Sequence, residues 1–310
     1  MIRVLDPGPQ TTVQDLGRRG HLRYGIPESG PVDRAAFLLA NRLAGNEDGA
    51  AALECTLVGA RLEVRQDGLV AATGAEMPLA VNDRAAPRWE AVGVRAGDVV
   101  RLGPARSGVR AYLAFGGGLD VPEVLGSRST YLRGGLGGYN GRALRKGDEL
   151  GWTAVSGARP GRAVKPAAIP RYPGEVVIRV IRGPQADRFT AAGIATFLEG
   201  LYEMSAQSDR MGARLRGPRI AHARGHDIIS DGVPLGGVQV VGDGQPIVLL
   251  VDRQSTGGYT KIATVCSFDV GRIAQVRPGQ RVRFEEITVD AAHALFRQER
   301  TALDGAIADR

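Results

Sequence analysis

Between Asp243 and Lys261 the sequence reads DGQPIVLLVDRQSTGGYTK. An apolar run, Ile247 to Val251, carries dense polar clusters at both ends. Asp243 and Gln245 stand before it. Asp252, Arg253, Gln254, Ser255, Thr256, Gly257, Gly258, Tyr259 and Lys261 follow it. Gln245 and Gln254 carry amides that can recognise an amide. Asp243 or Asp252 can serve as a general base. Lys261 can pair with a carboxylate or a phosphate. Gly257 and Gly258 let backbone N–H groups approach a ligand closely. Gln239, in the preceding SDGVPLGGVQV, joins Thr256 and Tyr259 in the candidate binding set. The expectation is a strand that holds a polar site at its ends. The alternative is a loop whose side chains satisfy its own backbone.

Two further polar, glycine-rich clusters compete for the same role. In TTVQDLGRRGHLRYGIPESGPVDRAA, Gln14, Asp15 and Arg18 precede a glycine turn, and Gly30 leads into a helix that carries Asp33. N–H groups at that helix start can hold an anion. Equally, Asp33 can simply cap the helix while Asp15 pairs with Arg18. In SAQSDRMG, Arg210 either pairs with Asp209 in a buried couple or clamps a carboxylate or phosphate in two-pronged fashion. His222 and His226 have a metal-like spacing, but they flank Gly225 in a loop with no cysteine nearby, so a surface role is expected over metal binding.

The elements that must position these groups are mostly strands. Stretches such as Asp98–Leu102 and Gln280–Phe284 are short, partly alternating and preceded by glycine turns. Three helices are expected, over Asp33–Ala44, Phe189–Leu198 and Asp290–Leu303. Five short matches recur in the same order in the two halves. Ile2-Arg3-Val4-Leu5 answers Ile178-Arg179-Val180-Ile181, and Gly59-Ala60-Arg61-Leu62 answers Gly212-Ala213-Arg214-Leu215. Ser129-Thr130, Gly141-Arg142 and Arg145-Lys146-Gly147-Asp148 answer Ser255-Thr256, Gly271-Arg272 and Arg277-Pro278-Gly279-Gln280. Their order predicts two similar β-rich domains, 1–160 and 175–310, as barrels or sandwiches with peripheral helices. The seam is SGARPGRAVKPAAIPRYPGE, Ser156 to Glu175.

Composition sets the bounds. The 310 residues contain 44 glycines, about twice the usual share, which favours many tight turns. The formal net charge of +7 comes from interspersed charges, so the surface can attract anionic ligands. No basic–aromatic pattern points to nucleic acid. Cys55 and Cys266 lie far apart and suit a reducing compartment. MIRVLDPGPQ has no apolar h-region and no apolar run is long enough to span a bilayer, so a soluble cytoplasmic protein is expected. The phosphate-cradling G-x-x-x-x-G-K-[ST], the G-x-S-x-G elbow and the A-M-K-M biotinylation tetrapeptide are missing, so no covalent biotin is expected on this chain.

TVQDLGRRG, SGPVDRAAFLLANRLAGN, YLAFGGGLDVPEVLGSRSTYLRGGLGG, SDRMGARLRG, GVPLGGVQVVGDGQPIVLLVDRQSTGGYTKIATV and VRPGQRVRF closely resemble the KipA, or allophanate-hydrolase-subunit-2, family. That family includes the C subunit of the bacterial ATP-dependent 5-oxoprolinase. It is similar to the carboxyltransferase domain of urea carboxylase. The resemblance runs from about Ile2 to Phe284 and implies two tandem cyclophilin-like β-barrels. It also implies two partners, a KipI-like subunit and a third subunit, with ATP handled by the complex and the isolated chain inactive. The implied reaction opens 5-oxoproline to glutamate. Two other implied roles are a biotin-dependent carboxyltransferase of the urea-carboxylase kind and a regulator that binds a KipI-like kinase inhibitor. The family usually reads G-G-Y-P-K where this chain has Gly257-Gly258-Tyr259-Thr260-Lys261, which on this reading loosens the turn slightly.

Overall fold

The computed structural model describes residues 1–153 and 159–308; Ser156 to Ala158 of the seam lie outside them. The chain is mainly β, with four α-helices among the described residues: α1 (Arg34–Leu43), α2 (Ala191–Glu199), α3 (Ser267–Ala274) and α4 (Val289–Asp304). It divides into two compact units. The first contains Met1–Arg19, Ser29–Arg171 and Thr301–Arg310, and the second contains Gly20–Glu28 and Tyr172–Arg300. The change at Arg171 falls inside the seam read from the prolines. The short exchanged segments, Gly20–Glu28 and Thr301–Arg310, leave no composition signal. Part of the seam is structured: Ala163 and Val164 pair with Ala308 and Ile307.

The two units solve burial differently. The first stacks two sheets. A seven-stranded sheet runs in the order Leu119–Asp120, Glu149–Trp152, Ile2–Asp6, Arg61–Val64, Val99–Leu102, Leu79–Val81, Arg84–Ala86. A five-stranded sheet runs in the order Gln10–Gln14, Ala52–Thr56, Arg110–Phe115, Gly68–Gly74, Ala91–Val94. Ile2, Val4, Leu62 and Val100 meet Leu53, Val70, Leu113 and Phe115 in the core between them. The other face of the five-stranded sheet packs under α1 through Phe37, Leu39, Ala40, Ala71, Tyr112 and Ala114. Arg110–Phe115 is therefore buried on both faces, which explains its nearly continuous apolar run.

The second unit closes a seven-stranded barrel: Glu175–Arg182, Lys261–Val265, Gly237–Val240, Pro246–Leu249, Gly212–Arg216, Tyr202–Met204, Arg281–Glu286. Closure comes from a parallel pairing that runs from Glu175 opposite Arg281 to Val180 opposite Glu286. A separate two-stranded ribbon joins Asp227–Gly232 to Thr256–Tyr259.

Three of the five repeat matches occupy like elements. Ile2–Asp6 and Glu175–Arg182 are strands, and Arg61–Val64 and Gly212–Arg216 are strands. The turns before Glu149 and Arg281 are built alike. The Asp148 side chain accepts from Arg145 N at 2.7 Å, and the Gln280 side chain accepts from Arg277 N at 2.8 Å. Gly147 and Gly279 both take positive φ, 92° and 83°. The Gly141-Arg142 match fails, because Gly141 lies in a turn while Gly271 and Arg272 lie inside α3.

Helix α3 is the helix that periodicity missed. It is eight residues long, and a tertiary anchor holds it. Fully buried Asp269 accepts from Arg179 N and Nε, both at 2.8 Å, and from Arg179 Nη2 at 2.6 Å. The other helices fall within two residues of their expected starts. Asp33 caps α1 by accepting from Ala36 N at 3.1 Å, and Thr190 caps α2 by accepting from Gly193 N at 2.9 Å.

Candidate functional site

The barrel strand Gly237–Val240 places Gln239 opposite Ile247 on one side and Lys261 on the other. The pairing with Lys261–Val265 slips by one residue between Val238 and Gln239. Such a bulge re-aims a side chain and commonly marks a functional edge. Here it puts Gln239 and Lys261, both almost fully buried, side by side.

Lys261 is tied at two points. Its Nζ donates to Asp231 Oδ2 at 3.2 Å, and its backbone N–H donates to Gln185 Oε1 at 3.1 Å. Gln185 Nε2 lies 3.4 Å from the same Asp231 oxygen. Asp231 sits on the ribbon, where it pairs with Gly257. Its carboxylate is half exposed. The Lys261 hydrogen bond, then the Gly232 N–H, hold its pKa below the ordinary carboxylate range. The Lys261–Asp231 pair therefore persists above about pH 4 and dissolves only as pH falls through the lowered Asp231 value.

Beside this pair Gln239, Gln254 and Gly257 gather in a tight cradle. Gln239 is 2 % exposed, and its Nε2 has no hydrogen-bond partner among the described residues. A Cβ added at Gly257 would lie 2.7 Å from Gln239 Nε2, 3.2 Å from Val233 Cγ2 and 3.5 Å from Gln254 Nε2. Two carboxamides thus converge on Gly257, where a side chain would crowd Gln239. Buried Arg253 braces the wall by donating from Nε to Val233 O at 2.9 Å. Burial lowers the pKa of its guanidinium.

The two ends of the opening stretch part company. Asp243 accepts from Gln245 N at 2.8 Å, and the Gln245 amide accepts from Gly217 N at 2.7 Å. Both residues hold turns at the far end of Pro246–Leu249 and do not join the cradle. Asp252 is no free base. It forms a buried fork with Arg210, Nε to Oδ2 at 2.8 Å and Nη2 to Oδ1 at 3.3 Å. Arg210 is thus spent on Asp252, while Asp209 accepts from Met211 N and Gly212 N in its own turn. Thr256 is exposed on the ribbon, Gly258 faces Ile228 O, and the Tyr259 ring stacks with His226 at 6.1 Å between centroids.

Thr260, in the place of the family's proline, tightens the structure here. Its N–H donates to His226 O at 3.0 Å, a bond proline lacks, and its Oγ1 lies 3.1 Å from His222 Nε2. Burial, more than its neighbours, lowers the His222 pKa. His222 also packs its ring, tilted, against Phe189 with centroids 4.6 Å apart. Among the described residues no group of three His, Cys, Asp or Glu gathers to hold a metal.

The first unit's cluster turns inward to hold a loop. The Asp15 carboxylate accepts from Gly17 N at 2.9 Å and from Ser127 Oγ, Ser129 Oγ and Arg128 N, each at 2.6 Å. Fully buried Arg18 donates to Ser129 O and, at 3.4 Å, to Val124 O. Gln14 donates to Thr12 Oγ1 at 2.9 Å and Thr130 O at 3.3 Å. Gly30, at φ 84°, packs on Gly17 and Asp15. Asp33 already occupies the α1 start, so a bound anion is not needed there. Asp15→Ala is expected to cost about 3 kcal/mol, because several buried donors lose their acceptor at once. The urea midpoint of the purified chain measures it; an unchanged midpoint refutes the loop-holding role.

Asp231 and Gln185, the partners of Lys261, were absent from the sequence-derived set. Their side chains reach Lys261 from 30 and 76 residues away, and no local pattern marks them.

Residues 24–286 match the family described as carboxyltransferase domain, subdomain A and B. The chain is 37% identical over 292 residues to the 5-oxoprolinase C subunit of Escherichia coli, covering 94% of this chain and 93% of that protein. It is 34% identical over 304 residues to the 5-oxoprolinase C subunit of Haemophilus influenzae, covering 98% and 97%. The crystal structure of Kluyveromyces lactis urea carboxylase superimposes with a TM-score of 0.93 at 33% identity, covering 98% of this chain and 29% of that one.

Proposed function

The chain belongs to the carboxyltransferase domain family, subdomains A and B, and on that premise we propose that it is a subunit of an ATP-dependent 5-oxoprolinase. The complex opens the lactam of 5-oxoproline to glutamate. A KipI-like subunit and a third subunit complete it. Likeness along nearly the whole length of two proteins named as C subunits of 5-oxoprolinase supports this reading. The observation that carries it is the pair of carboxamides, Gln239 and Gln254, meeting over Gly257 beside Lys261 and Asp231.

A lactam carbonyl is a poor electrophile. Phosphorylation of its oxygen by ATP, handled by the complex, activates it. Water then adds to the carbon, the C–N bond breaks as the nitrogen takes a proton, and the acyl phosphate so formed is cleaved by a second water to glutamate and phosphate. Lys261 is placed to stabilise negative charge that develops on oxygen. Asp231, half exposed and ionised at neutral pH, is placed to accept a proton from water. Its lowered pKa makes it a weak base, so most of the acceleration must come from the activated electrophile.

A second reading rests on the urea carboxylase superposition. The same cradle suits urea, with the carboxyl group delivered by biotin on another chain. One experiment separates the two. The purified chain, alone and then with its KipI-like and third-subunit partners, receives ATP and 5-oxoproline, and glutamate is followed. Glutamate from the full mixture only is the expected result. No glutamate, with carboxyl transfer from carboxybiotin to urea instead, selects the second reading.

A further inference from the structure

We infer that the Arg253 guanidinium is the receptor for an oxyanion that this chain does not itself supply, a carboxylate or a phosphate held where Arg253 Nη2 opens to solvent. It holds whether the neutral group in the reaction is a lactam or urea, and so does not rest on the reading above.

Buried charges are ordinarily paired. Three cations of the second unit keep to that rule: Arg210 is answered by Asp252, Lys261 by Asp231 and Arg179 by Asp269. Arg253 does not. It is 4 % exposed, and among the described residues no carboxylate forms an ion pair with it. Its hydrogen bonds go to backbone carbonyls alone, Nε to Val233 O at 2.9 Å and Nη1 to Leu250 O at 3.5 Å. These bonds orient the guanidinium without neutralising it. Asp252, next in the chain, is locked in its fork with Arg210 and does not answer the charge. Burial lowers the Arg253 pKa, and Glu28 opposes that shift only from a distance. An arginine nevertheless stays charged at any working pH, so deprotonation does not relieve the deficit.

The unused end of the fork is also the reachable end. Nη2 makes no hydrogen bond among the described residues, yet it is not one of the enclosed polar atoms that lack a partner. It is therefore open to solvent. Nε is closed to a ligand by Val233 O, so an anion meets the guanidinium end-on, at Nη2 and at Nη1, whose bond to Leu250 O is long. Bonds of this charge-assisted kind are the strong ones. The surroundings add donors and not acceptors. Gln239 Nε2 is enclosed without an acceptor, and it crowds the same side of Gly257 as Val233, 2.7 Å and 3.2 Å from where a Cβ would lie. A neutral ligand would leave the charge unanswered; an oxyanion answers it.

The test uses the purified full chain, without ATP or partners. Saturation-transfer NMR compares propionate with propionamide, its neutral counterpart, at constant ionic strength. Transfer to propionate is expected to exceed transfer to propionamide by about tenfold or more, since a site built for one polar group rejects the analogue without it. Arg253→Met is expected to abolish that excess without lowering the urea midpoint, because it removes a buried charge that nothing in the chain pairs. Glu28→Gln touches none of the Arg253 hydrogen bonds and removes the negative charge that acts on it, so it is expected to tighten propionate binding by about threefold. Inorganic phosphate and 5-oxoproline then compete with propionate. Displacement at lower concentration by 5-oxoproline assigns the oxyanion to a substrate carboxylate, and displacement at lower concentration by phosphate assigns it to a phosphate. Equal transfer to propionate and propionamide, no transfer to either, or an excess undiminished in Arg253→Met overturns the inference. If Arg253→Met does not fold, unchanged propionate affinity in Glu28→Gln overturns it instead. Glutamate release is read separately, and its absence leaves the anion site standing.

Discussion

Replacing Lys261 with methionine is expected to lower glutamate release by the assembled complex by about two to three orders of magnitude, the effect of removing a preorganised charge aimed at developing negative charge. The same change is expected to leave the denaturation midpoint nearly unchanged. Lys261 is 1 % exposed, and its ammonium has left water for a half-exposed partner. An apolar side chain of like length avoids that desolvation, which is why replacing buried ions with hydrophobic residues is often neutral. A purely structural lysine would behave in the opposite way, with a fallen midpoint and activity lost only in proportion to unfolded protein. Asp231→Asn separates the members of the pair. It keeps the ribbon's shape, removes the proton acceptor and leaves the cation without its counter-charge. Rate should fall, and the pH profile should lose its acid limb. That limb is placed below the ordinary carboxylate range, because the depressed Asp231 pKa keeps the pair intact as pH falls toward about 4. An unaltered pH profile in Asp231→Asn would take Asp231 out of the reaction.

How far the site could be read in advance depended on how its residues are connected. Gln254, Gly257 and Lys261 lie within one short stretch, and the glycine pair beside them drew notice. Asp243 and Gln245 lie in the same stretch and belong elsewhere. Pro246–Leu249 separates them from the cradle, and four extended residues span about 13 Å. Polar residues at both ends of a strand are polar for separate reasons unless the chain folds back, and here one end is a turn held by Asp243 and by Gln245 on Gly217. Asp231 and Gln185 illustrate the opposite failure. They converge through the ribbon and through the link after Glu175–Arg182, a consequence of barrel closure that no local pattern carries. The fold was legible where turns repeat, as in Arg145–Asp148 and Arg277–Gln280, since turn chemistry is local. Helix α3 was not legible, since burial of Asp269 against Arg179 fixes it.

Asp252→Ala is expected to destabilise the second unit by roughly 3–5 kcal/mol, the usual cost of stranding one member of a buried ion pair. Arg210 and Asp252 are each about 5 % exposed on their side chains and share a two-pronged contact. Removing the carboxylate leaves a guanidinium held away from water. The double change Arg210→Met with Asp252→Leu removes both charges and is expected to recover most of that loss, to within about 1 kcal/mol, as measured by urea unfolding. The double variant also decides what Asp252 does. Backbone links tie the two segments, Asp252 N donating to Arg210 O at 3.0 Å and Leu250 N to Met211 O at 2.8 Å, so the loop that leads to Gln254 should keep its course. Glutamate release within about tenfold of the parent then means that the pair only positions Gln254. A loss of about a hundredfold or more in a variant of restored stability would mean that Asp252 reaches the reaction, which its fork with Arg210 argues against. Because stability and rate move independently in this pair of variants, a fall in one cannot be mistaken for a fall in the other.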